Sequence, residues 1–63
     1  MLTIVLTPTM LTFKNLTDEM QDELKKKYTL YVNNKGDIAI KGDETELFKT
    51  LLQLSYTYDL EII

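Results

Sequence analysis

From Tyr28 to Gly42 the chain alternates apolar and polar residues on both sides of one short polar break. Tyr28, Leu30 and Val32 alternate with Thr29, Tyr31 and Asn33, and Ile38 and Ile40 resume the alternation after the break. A period of two puts one set on each face of a strand. The break, Asn33-Asn34-Lys35-Gly36-Asp37, offers asparagine to start a turn and a glycine that can take the positive φ needed to close it. Two strands so briefly separated must run back along each other. A β-hairpin over residues 28–42 is predicted.

The flanking segments read as two strands and two helices. Leu2, Ile4 and Leu6 alternate with Thr3, Val5 and Thr7 as a first strand, which Pro8 ends because it has no N–H for a ladder. Residues 9–14 are extended in character, either a second strand or a continuation of the first past a kink. A helix is predicted from Asp18 to Lys27, with Thr17 as N-cap, Asp18 and Glu19 in its first turn and three lysines in its last. The pairs Asp22–Lys26 and Glu23–Lys27 are spaced for helical ion pairs, and the apolar stripe is thin. A second helix is predicted from Asp43 to Tyr56, capped by Asp43, with Leu47, Phe48, Leu51, Leu52 and Leu54 as its buried face. Asp59–Ile63 reads as a last strand.

The order strand, helix, strand, strand, helix, strand is that of a small α+β ferredoxin-like (split βαβ) domain spanning residues 1–63. Its sheet would be four-stranded and antiparallel, with the first and third strands central and both helices on one face. Leu2, Ile4, Leu6, Leu30, Val32, Ile38 and Ile40 would then face the helices. Thr3, Val5, Thr29, Tyr31, Ala39, Lys41, Glu61 and Ile63 would form an open face. Residues 9–14 have no role in this four-strand scheme.

A chain of 63 residues buries only about 60% of its unfolded surface and usually needs a staple. Cysteine and histidine are absent, which removes disulfides and the usual zinc sites, and no metal or other cofactor is expected. The absence of histidine and cysteine also removes the usual nucleophile–base pairs, and the single serine, Ser55, reads as a polar residue on a helix flank. The carboxylates have structural explanations as caps, turn residues and helical pairs. No enzyme activity is expected.

Ten carboxylates against seven lysines give a net charge of −3, and there is no arginine. Nucleic-acid surfaces are usually basic and use arginine for bidentate contacts, so nucleic acid is an unfavoured partner. The strands expected at the centre also lack the aromatics on which RNA bases stack. No apolar run approaches the ~20 residues of a membrane span, and the first residues do not resemble a signal peptide. A cytoplasmic protein is expected. Heavy use of Lys, Ile, Asn, Thr and Tyr suggests an AT-rich genome, such as that of a low-GC bacterium or its phage.

What is left to such a chain is to occupy another molecule's surface. The expected function is a small non-catalytic protein-binding module, of the kind a phage or mobile element uses to inhibit a host enzyme. The alternative is a self-associating subunit domain, a homodimer. Two surfaces are candidates: the acidic start of the first helix, with Asp18, Glu19, Asp22 and Glu23, and the open sheet face, with Val5, Tyr31 and Ile63. Tyr28, Tyr56 and Tyr58 are expected to cover the ends of the sheet with their hydroxyls in water.

Overall fold

Pro8 turns the first strand back on itself. In the computed structural model, which describes residues 1–63, β1 (Leu2–Leu6) and β2 (Met10–Phe13) form an antiparallel hairpin pairing Ile4 with Phe13 and Leu6 with Leu11. Thr7 closes it: its backbone N–H donates to the Met10 carbonyl at 2.9 Å, and its hydroxyl oxygen accepts the Met10 N–H at 3.1 Å. The remaining elements are α1 (Asp18–Lys25), β3 (Tyr31–Val32), β4 (Ile38–Lys41), α2 (Glu44–Ser55) and β5 (Leu60–Ile62).

The five strands form one mixed sheet in the order β3-β4-β2-β1-β5, antiparallel except for the parallel pair β1–β5. This corrects the four-stranded antiparallel ferredoxin-like sheet expected from the sequence. Residues 9–14, which had no role in that scheme, supply the central strand β2. Leu11 and Phe13 of that strand are fully buried, and its backbone is paired on both sides, with β1 and β4. Without β1, the order would be β3-β4-β2-β5, that of two interleaved βαβ halves, β2-α1-β3 and β4-α2-β5. β1 is thus inserted between β2 and β5, which makes the sheet mixed. The first arm of the predicted hairpin and the final strand do lie at the edges.

One core joins the sheet to both helices. Leu2, Ile4, Leu11, Phe13 and Ile40 project from one face of the sheet into a cluster with Leu24 of α1 and Leu47, Leu51 and Leu54 of α2. Both helices therefore lie on that face, as predicted. Their caps are as the sequence suggests: Thr17 Oγ1 accepts the Met20 N–H at 3.2 Å, and Asp43 Oδ1 accepts the Glu46 N–H at 2.8 Å. α1 stops at Lys25, two residues short of the expected end, where the N–H groups of Lys26 and Lys27 reach back only three residues, to the Glu23 and Leu24 carbonyls, and the last turn tightens.

The hairpin is present but its arms are shorter than predicted. Asn33 N–H donates to the Asp37 carbonyl, and Asn33 Oδ1 accepts the N–H groups of Lys35 and Asp37, each at 2.9 Å. Gly36 takes the positive φ, 84°. Tyr28 belongs to the exit turn of α1 and not to β3, so β3 keeps only Tyr31 and Val32. Val32 shares the helix side of the sheet with Ile38 but is exposed, since edge strand β3 lies beyond the core.

Candidate functional site

The acidic residues do not make the helical pairs that their spacing allows. Asp18, Glu19, Asp22 and Glu23 are exposed along α1, and neither Asp22–Lys26 nor Glu23–Lys27 forms. The one ion pair joins Lys14 Nζ to Asp37 Oδ2 at 2.9 Å, linking the end of β2 to the hairpin turn. The hydrogen bond from Lys14, with its charge and a further bond from Asn33, holds the Asp37 carboxyl below the usual carboxylate range. No three acidic, histidine or cysteine side chains converge closely enough to hold a metal ion.

Glu23 is engaged in a different contact. Tyr58, in the exit turn of α2, donates its hydroxyl to Glu23 Oε2 at 2.9 Å, and Tyr28, in the exit turn of α1, donates to Gln53 Oε1 at 2.9 Å. The two bonds are reciprocal, each tyrosine clasping the last turns of the other helix. In both turns the buried leucine before the exit, Leu24 or Leu54, accepts two backbone N–H groups, including that of the tyrosine itself. The Glu23 contact and partial burial push the Tyr58 hydroxyl above its ordinary pKa. These tyrosines were expected to have hydroxyls in water; only Tyr56 of the three is that exposed. A cleft of about 300 Å³ lies between the helix ends, lined by Glu23, Lys26, Lys27, Gln53 and both clasp tyrosines. The clasp spans this cleft, which gives it a structural role.

The residues expected on the open face fall in one row that crosses the sheet from edge to edge, with Tyr31 and Ile63 at its two ends. The register sets Tyr31 opposite Ala39, Ala39 opposite Thr12, and Thr12 opposite Val5. Ile63 follows Ile62, the partner of Ile4, and so continues this row beyond Val5. Within the row Ala39 and Thr12 are buried and Val5 is half-buried, while Tyr31 carries the Lys41 ammonium 4.6 Å from its ring centre. Lys14 and the turn residues Asn33–Lys35 border Val5 and Thr12. This face therefore exposes little contiguous apolar area.

The largest apolar exposure lies on α2, where core was predicted. Leu47, Leu51 and Leu54 face the sheet, but Phe48 and Leu52 are 52% and 57% exposed, and Tyr56 is 80% exposed. At roughly 100° per residue these three share the flank of α2 opposite the Glu46–Gln53 side, along which Tyr28 lies. Phe48 and Glu44 line a shallow cleft with Leu6, Thr7 and Pro8, which places the flank over the β1 side of the sheet. Next to β1 lies edge strand β5, whose Ile62 points to the helix side and is 54% exposed. Phe48 thus lies over the β1 side of the sheet, and Ile62 is exposed on the same face of the neighbouring edge strand.

The chain matches no family model, no curated protein and no solved structure. Function is accordingly argued from these surfaces. The sequence does carry a signal for the exposed flank. From Leu54 to Leu52 the apolar residues of α2 span an arc of about 160°, and Tyr56 widens it, more than one contact with a sheet can cover. The clasp also has a signal, an internal repeat thirty residues apart. Glu23-Leu24, Tyr28, Leu30 and Val32 recur as Gln53-Leu54, Tyr58, Leu60 and Ile62. No helix is long and apolar enough to cross a membrane.

Proposed function

We propose that this chain is a non-catalytic protein-binding module whose contact face is the outer flank of α2 together with edge strand β5. The observation that carries the reading is the exposure of Phe48, Leu52 and Tyr56 along α2, with Ile62 exposed on the helix side of edge strand β5. Aromatic side chains are the commonest anchors of protein interfaces, and contiguous apolar patches rimmed by polar residues mark interaction sites. The polar rim is supplied by Glu44 and Thr45 at the start of α2 and Ser55 near its end.

The test is capture from a lysate of the source cell on the immobilised chain, compared with the variant Phe48→Asp/Leu52→Asp. Both positions are more than half exposed, so the variant is expected to keep its fold. Retained polypeptides that disappear with the double change support this face. Retention unchanged by it counts against this face and in favour of the acidic turn of α1 or the open sheet row.

A further inference from the structure

Building on the reading of this face as a protein contact, we propose that its occupant is a second copy of the chain, joined two-fold through β5 with the two α2 flanks packed together. Three observations favour a copy of itself. The first is area. At roughly 150–250 Å² for a large side chain, the exposed parts of Phe48, Leu52, Tyr56 and Ile62, with the adjoining Leu6 and Pro8, come to at most about 600 Å². Two copies would bury at most about 1,200 Å², the lower end of stable interfaces.

The second observation is the free edge. Asp59 accepts from Leu2 N–H and Ile63 donates to the Ile4 carbonyl, so alternate residues of β5 turn inward to β1. Leu60 and Ile62 then point their N–H and C=O groups outward, unpaired. An antiparallel two-fold pairing of Leu60 with the second copy's Ile62 would satisfy all of them and merge the sheets into one of ten strands. The third is closure. The only other edge, β3, has two residues and no apolar helix flank beside it, and β5-to-β3 pairing would propagate without end. Pairing β5 with β5 closes, and the charges nearest the flank, Glu44 and Lys49, lie at its margins, Glu44 at the N-terminal end and Lys49 toward the Glu46–Gln53 side.

In this register Glu61 falls opposite its own copy on the open face, where like charges repel. That makes a specific prediction: removing the charge tightens the dimer. Sedimentation or light scattering over micromolar concentrations should show a species of twice the 7.4 kDa chain mass. Phe48→Asp/Leu52→Asp should shift it to monomer with an unchanged far-ultraviolet spectrum, and Glu61→Gln should tighten association several-fold. A chain that stays monomeric throughout overturns the second copy as occupant, while the capture experiment still decides the contact face separately. A double variant that remains dimeric overturns both. If the double variant fails to fold, Glu61→Gln decides, because Glu61 is exposed and outside the core; no tightening overturns the β5 pairing.

Discussion

Tyr58 and Glu23 show how much of this small structure depends on single side chains reaching across it. The Tyr58 hydroxyl donates to a carboxylate, so its proton is held and its pKa is raised. A raised folded-state pKa means that the stabilisation is fully present below the tyrosine's ordinary pKa of about 10 and is lost as pH rises through the higher folded value. Thermal melts of the wild type should therefore lose stability above that pH more steeply than melts of Tyr58→Phe. At neutral pH Tyr58→Phe and Tyr28→Phe should each cost up to about 1 kcal/mol, the scale of one exposed hydrogen bond. Gly36→Ala should also destabilise, by about 1–2 kcal/mol, since a side chain at its positive φ is strained even though open space surrounds it. Gly36 was legible from sequence because a turn's needs are local. The tyrosine partners lie 25 and 35 residues away, so no local pattern names them, and their one trace in the sequence is the thirty-residue repeat.

At the scale of elements, adjacent leucines of α2 have opposite duties. Leu51 is buried in the core and Leu52 is exposed on the flank. Leu51→Ala should cost about 2–5 kcal/mol, enough to unfold so small a domain, whereas Leu52→Ala should lie within about 0.5 kcal/mol, as chemical denaturation of the dilute monomer would show. Equal effects would mean the helix is rotated from this placement. Caps, helix positions and the hairpin turn were readable because they depend on neighbours within four or five residues. The extent of burial around α2 was not, since it depends on how much of an arc the sheet and α1 cover. The same limit applied to Met10–Phe13. Its four residues look dispensable until β1 and β4 are seen on both sides.

For the whole molecule, the inserted strand β1 has a consequence beyond topology. It separates β5 from β2 and sets it at the sheet's edge, where Ile62 is exposed on the face that carries α2. The acidic turn of α1 and the part of the open row from Tyr31 to Thr12 lie away from this seam and would stay uncovered in the dimer, two to a particle, for other contacts. The outward-pointing amides of β5 test this arrangement most directly. Amide hydrogen exchange at Leu60 and Ile62 should be slow in concentrated solution and fast on dilution or in Phe48→Asp/Leu52→Asp, while Ile4 and Leu11 stay protected throughout. Fast exchange at Leu60 and Ile62 at every concentration would contradict it.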